Sequence, residues 1–287
     1  MQFGAHCLMW TSVFSKKDLY LFDKLKDMGF DGIEIKLNNL SLLPVSQIEK
    51  KMSQTGVKCT FSLALDREHN ILSDDEEKRK AGVRFLKERI EVASFLGSDV
   101  IGGPLYGAWG EFTGHMRTMK EWDHCKEYLS EVAHFAEKKR VTLALEPLNR
   151  YETYFLNTVE DAIKLVEEIR SPYIKILLDT YHMNIEEERF YNSIKLAGSH
   201  LFHLHLCENN RGVPGTGHVN WTEVFRALKE IGYKRWAVIE SFVPGADEEI
   251  VSRVRLWRKV APSADVIAKK GLEFFKKNCN IGETGSV

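Results

Sequence analysis

Surplus charge of one sign is absent from this sequence. Lys and Arg number 40 and Asp and Glu 41, a formal net charge of −1 with His neutral. A generic nucleic-acid binder needs a basic excess to neutralise phosphates, so the balance argues against that class. Cysteine is scarce: Cys7, Cys59, Cys125, Cys207 and Cys279 are odd in number, scattered, and contain no C-x-x-C pair. That pattern argues against a disulfide framework or a structural zinc site and for a reducing, cytoplasmic setting. Long apolar runs are missing too, so no membrane helix is expected. The opening Met1-Gln2-Phe3-Gly4-Ala5-His6 lacks the charged and apolar regions of a signal peptide. Proline is limited to 7 residues spread along the chain, and no low-complexity stretch marks a linker. A single domain over 1–287 is expected, with a frayed tail at 281–287.

What is present is an ordinary globular composition, 44% hydrophobic and 28% charged, which excludes disorder. Short β-rich runs alternate with longer amphipathic ones. Strands are expected at 4–9, 32–36, 58–65, 100–103, 142–147, 174–179, 201–206 and 236–241. Most are nearly continuous apolar runs, as parallel strands covered by helices require. Helices are expected at 17–28, 45–55, 119–139, 190–197, 221–231 and 265–278, with another from Ser73 to about Leu96. Ser15, Ser73, Thr158 and Asn220 each precede an acid by three residues, a helix-start signal. Eight strands, each followed by a helix, predict an α/β fold of the (β/α)₈ TIM-barrel type. The rival, a doubly wound open sheet, lacks its G-x-G-x-x-G after the first strand.

Function in such a barrel gathers at the carboxyl ends of the strands. Glu146, Asp179, His205 and Glu240 fall at the ends of four consecutive strands, at spacings of 33, 26 and 35 residues. One acid in such a place is most simply a cap for the next helix. Four in equivalent places are another matter, because three unpaired carboxylates brought together would repel and be costly to desolvate. A divalent cation resolves that conflict. Three carboxylates and one imidazole suit Mn²⁺, Co²⁺ or Mg²⁺ better than a thiolate-rich zinc site. His203 shares a strand face with His205, and either is a possible ligand; His205 is preferred because it lies nearer the strand end. Glu34 is expected inside the barrel, either beside the site or in an interior ion pair.

Leu145-Glu146-Pro147-Leu148-Asn149-Arg150, Leu178-Asp179-Thr180-Tyr181-His182-Met183-Asn184, His205-Leu206-Cys207-Glu208-Asn209-Asn210-Arg211 and Val213-Pro214-Gly215-Thr216-Gly217 resemble the ketose 3-epimerases. That group comprises the D-tagatose, D-allulose (psicose) and L-ribulose enzymes, within the xylose-isomerase-like barrels. The likeness runs from Gly4 to the last helix. It implies one cation held by Glu146, Asp179, His205 and Glu240, and it makes Glu146 and Glu240 the catalytic acid/base pair. It also implies substrate contacts from Glu152, His182 and Arg211, and homo-oligomers, dimers or tetramers. His6 stands where several relatives carry Tyr, Phe14 where some carry Trp, and Pro104 at a small-residue position, which bears on sugar preference. His6 and Trp109 are added to the expected substrate contacts, with Trp10, Phe14 and Phe242 as further candidate walls. The stretch 105–117 is long and aromatic enough for a lid.

The chemistry expected is proton removal from C3 of a ketose by one carboxylate, an enediolate stabilised by the cation, and proton return by the other. An aldose–ketose or hydroxypyruvate-type isomerase with the same centre is the nearest rival. An endonuclease IV-type site needs extra histidines at early strand ends, and 36, 65 and 103 are Lys, Leu and Gly. A silent barrel is disfavoured by the intact ligand set. A Gly215-Thr216-Gly217 phosphate cradle is weighed against the acidic Asp247-Glu248-Glu249 and a free sugar preferred. No nucleic-acid or membrane partner is expected.

Overall fold

The structure, a computed structural model, describes residues 1–242 and 252–279. Eight parallel strands close on themselves in sequence order: β1 (Gln2–His6), β2 (Gly32–Lys36), β3 (Lys58–Ser62), β4 (Val100–Gly103), β5 (Thr142–Leu145), β6 (Ile174–Asp179), β7 (Leu201–His205) and β8 (Trp236–Ile239). β8 returns to β1, with Gly4 opposite Val238, so no edge is left open. The described helices are α1 (Tyr20–Met28), α2 (Val45–Thr55), α3 (Glu76–Phe95), α4 (Met119–Lys139), α5 (Val159–Ile169), α6 (Thr180–Glu186), α7 (Phe190–Ala197), α8 (Trp221–Glu230) and α9 (Ala264–Cys279). The expected barrel is the observed one. The acidic tail of the β8 loop, Asp247 to Glu249, and the expected frayed tail lie outside the described residues.

Strand and helix boundaries follow local chemistry. Thr158 and Asn220 cap α5 and α8 as expected, accepting the amides of Asp161 and Glu223. Ser15 and Asp18 form a reciprocal capping box, but on a 3₁₀ turn before α1. Ser73 is not the cap of α3; Asp75 is, and it accepts the Glu77 amide. Five expected strands run one to three residues too far, because buried chain continues after the ladder ends. Leu63, Leu65, Leu206 and Cys207 are all buried yet outside the strands.

Side chains alternate across a strand, so every second residue points into the barrel. Val100, Ala144, Leu177 and Trp236 form a small apolar cluster separate from the main core. The larger cluster lies between strands and helices, where Leu86, Leu129, Leu165, Val224 and Phe275 are almost wholly buried. Two of these residues have an acid two positions further on: Leu177 is followed by Asp179 at the end of β6, and Ala144 by Glu146 just past β5.

Candidate active site at the mouth of the barrel

Period-two alternation brings His6, Glu34, Thr60, Ser62, Glu146, Asp179, His203, His205 and Glu240 together. Register supports the convergence: His6 pairs with Glu34, Glu34 with Thr60, and Asp179 with His205. Glu146 follows β5 directly, and its amide donates to the Gly103 carbonyl at 3.1 Å. Gly103 has φ +126°, and a Cβ there would stand 2.2 Å from the Leu63 carbonyl oxygen, so only glycine lets β4 turn this closely. A cavity of about 70 Å³ opens on the cluster, lined by His6, Ser62, Glu146, His205, Arg211 and Glu240 among others.

Glu34 is fully buried. Its carboxylate receives Nε2 of His203 at 2.6 Å, Nε2 of His205 at 2.6 Å and the Thr60 hydroxyl at 2.8 Å. Burial alone would raise this carboxyl, but the two histidines hold it well below its usual value. With Nε2 committed to Glu34, His205 turns Nδ1 toward Glu146 Oε1 at 3.5 Å and Glu240 Oε2 at 3.7 Å. That Nδ1 is buried and has no hydrogen-bond partner. An imidazole pinned through one nitrogen, with the other orphaned among carboxylates, is the arrangement a metal ligand requires. The donor set therefore fits a divalent cation. His203 likewise spends Nε2 on Glu34 and has a buried, unpartnered Nδ1, but among the described residues no carboxylate other than Glu34 lies within 4.0 Å of its ring nitrogens.

The four expected ligands do not form one tight group. Among the described residues, three groups of buried side chains have ligand atoms within 4.8 Å of one another: Glu146, Asp179 and His182; Asp179, Cys207 and Glu240, which share Asp179; and, separately, Glu34, His203 and His205. Arg211 fills the gap. Its Nη1 donates to Asp179 Oδ2 and Glu240 Oε2, both at 2.8 Å, and to Cys207 Sγ at 2.9 Å. The guanidinium is buried and lies over Tyr181, its Cζ 3.9 Å from the ring centroid. Arg211 has φ +60°, a costly backbone state for a side-chain-bearing residue. The Ser241 hydroxyl donates to its carbonyl and pins it there.

These contacts set the protonation states. Burial pushes the Glu146 carboxyl up to about 7, against the pull of His205, and raises Glu240 as well. Asp179 moves the other way: burial opposes it, but Arg211, His182 and His205 hold it down to about 2. Its two oxygens divide the work, Oδ1 capping α6 through the Tyr181 amide at 2.8 Å and Oδ2 facing Arg211. The capping role and the site role of this acid thus coexist. His182 Nδ1 accepts the Asn149 amide at 3.1 Å, so its proton sits on Nε2, 3.9 Å from Glu146 Oε1 and 3.8 Å from Asp179 Oδ2. Its place is that of a donor.

Of the other expected residues, Trp109 and Glu152 line the cavity together, the indole donating to Glu152 Oε2 at 2.9 Å. Asn149 holds the other Glu152 oxygen at 3.0 Å, and Arg150 pairs with Glu186 instead. Phe242 lines the cavity, but Trp10 and Phe14 do not. Phe14 packs edge-on against Phe22 in the core, and the Trp10 indole donates to Asp265. The expected lid is anchored at its start, where Tyr106 is buried and its hydroxyl donates to the Glu146 carbonyl at 2.9 Å. The Gly215 and Val219 amides both donate to the buried Glu208 carboxylate, so these two are spent within the protein. Sequence reasoning missed Ser62, Cys207, Glu208 and Asn149. Of these, only Ser62 had a readable signal, its period-two spacing from Thr60 at the end of β3.

A family model described as Xylose isomerase-like TIM barrel matches residues 22–278. A D-psicose 3-epimerase of Enterocloster bolteae is 35% identical, covering 96% of this chain and 94% of its own. A probable ketose 3-epimerase of Synechocystis sp. is 33% identical over 96% of each chain. A crystal structure of D-psicose 3-epimerase with D-tagatose from Clostridium cellulolyticum superposes with a TM-score of 0.92 at 31% identity, covering 97% of this chain and 99% of that one.

Proposed function

Because the chain belongs to the ketose 3-epimerases of the xylose isomerase-like TIM barrel family, we propose that it inverts C3 of a free ketose. The reading covers sugars of the D-tagatose, D-allulose/D-fructose and L-ribulose type. The observation that carries it is the pairing of Glu146 and Glu240, whose carboxylates approach one His205 nitrogen from strands separated by β6 and β7. Two acids facing one centre from different parts of the barrel are what removal and return of a proton require.

Glu146, Asp179, His205 and Glu240 would hold a divalent cation, Mn²⁺ or alternatively Co²⁺ or Mg²⁺. When bound, that cation supplies Lewis acidity that polarises the C2 carbonyl. Glu146 or Glu240 takes the C3 proton on a carboxylate oxygen, and the C–H electron pair moves into the C2 carbonyl, giving a cis-enediolate. The other Glu delivers a proton to C3, and the electron pair returns to form the C–H bond. A carboxyl near 7 exchanges protons readily at neutral pH, and Glu146 is raised to about that value. His182 Nε2–H and the Arg211 guanidinium donate to substrate oxygens, while Trp109, Glu152 and His6 shape the cavity. The consumed amides of the Gly215 loop support an unphosphorylated sugar.

The reading extends to a cytoplasmic homo-oligomer. Five free cysteines suit a reducing compartment, and exposed Phe112, Met116, Met119 and Tyr151 suit subunit contact. The test is a ketose panel in D₂O with and without Mn²⁺, using wild type, Glu146→Gln and Glu240→Gln. Metal-dependent C3 epimers carrying deuterium at C3 are expected, with turnover nearly abolished in both variants. Deuterium at C1 or C2, or near wild-type turnover in either variant, overturns the assignment.

A further inference from the structure

We propose that Ser62 is a substrate-binding residue whose hydroxyl, oriented by His6, donates to a ketose hydroxyl on the C4–C6 half of the sugar. The inference rests on the epimerase reading and narrows its specificity. The Leu8 amide donates to His6 Nδ1 at 3.1 Å, so Nδ1 is an acceptor and the ring proton is on Nε2. That Nε2–H points at Ser62 Oγ, 2.7 Å away. The other acceptors near it, Glu34 Oε1 at 3.7 Å and Glu240 Oε1 at 3.8 Å, are beyond hydrogen-bond reach. Ser62 therefore accepts from His6 with one lone pair and keeps its own hydrogen. Among the described residues that hydrogen has no protein acceptor.

Ser62 ends β3 on the interior face and lines the same cavity as Glu146 and Glu240. The chain that follows Ser62 in the lining, Leu63 and Ala64, is apolar, as are Leu8 and Pro104 elsewhere in it. Ser62 is thus a donor of fixed orientation among apolar chain neighbours. Its oxygen and Glu240 Oε1 both lie within 4 Å of the same His6 nitrogen. With C2 and C3 held at the carboxylates, Ser62 is assigned to the longer arm of the sugar, beyond C3, and the deoxy analogues test that assignment. His6 acts through Ser62 and is a positioning residue for it.

The experiment compares wild type, Ser62→Ala and the near-isosteric Ser62→Cys on the converted ketose and its 4-, 5- and 6-deoxy analogues. Both variants should raise KM for the parent sugar roughly 3- to 10-fold, the worth of one hydrogen bond, with kcat within about twofold. One deoxy analogue should already bear that penalty with wild type and gain none from the substitution. An unchanged parent KM in both variants overturns the proposal, as does a penalty that persists on all three analogues. Calorimetric binding of the same sugars separates this from the epimerase reading. If wild type turns over no ketose, that reading fails, and Ser62 then stands or falls on whether wild type binds the sugar more tightly than Ser62→Cys.

Discussion

Replacing Arg211 by Met separates the two ways this site can balance its charge. Arg211 Nη1 bridges Asp179 Oδ2 and Glu240 Oε2 at 2.8 Å each, with the whole side chain buried. Met keeps the apolar stem against Tyr181 and Phe242 and bears the same left-handed backbone cost, so both effects cancel in the comparison. What remains is the loss of one partner from a buried ion cluster, worth about 3–5 kcal/mol. In a chain of this size that corresponds to a fall in Tm of roughly 6–15 °C. A divalent cation changes the sum. With all three carboxylates ionised, the apo cluster holds two excess negative charges beside Arg211 and three without it. Bound Mn²⁺ neutralises the first and leaves only one in the second. The deficit of Arg211→Met should therefore be largest in chelator and shrink with saturating Mn²⁺. Differential scanning calorimetry at pH 8, above the Glu146 value of about 7, reads both states. Equal Tm for variant and wild type in chelator, or a deficit of the same size with and without Mn²⁺, refutes the reasoning.

Cation binding should also be proton-linked. Glu146 titrates near 7, and His205 is raised well above its usual value, chiefly by Glu34 against the opposing effect of burial. Both must shed protons to ligate, so apparent Mn²⁺ affinity should fall at least about tenfold per pH unit below 7; calorimetric affinities that stay flat from pH 5.5 to 7 contradict this. Glu208 accepts from the amides of Asn209, Gly215 and Val219 and from the Trp221 indole, at 2.8–3.1 Å. Glu208→Gln aims an NH₂ group at those donors and should cost about 2–4 kcal/mol, with faster proteolysis of the 209–218 loop. An unchanged Tm and cleavage rate would show that the loop does not depend on this carboxylate.

The barrel was legible because its strands are buried on both faces, so each reads as an apolar run whatever its neighbours do. The same feature blurred the strand ends: Leu65, Leu206 and Cys207 remain buried after the hydrogen-bond ladder stops, and hydrophobicity alone does not see the stop. That Glu146, Asp179, His205 and Glu240 meet at one end of the barrel was legible because a βα repeat places equivalent residues at successive strand ends. What spacing cannot convey is how the charges at those positions are shared. Arg211 lies on a loop, in a backbone state that favours glycine, and nothing in its neighbours predicts that its Nη1 would stand between two of the expected ligands. His205 is a clearer lesson. Sequence preferred His205 over His203 only for its place nearer the strand end; Glu34, some 170 residues away, binds Nε2 of both, so the contrast lies in what the other nitrogen of each ring faces. Of the two, only His205 has its remaining nitrogen within 4 Å of Glu146 and Glu240, which is the position the expected ligand role requires.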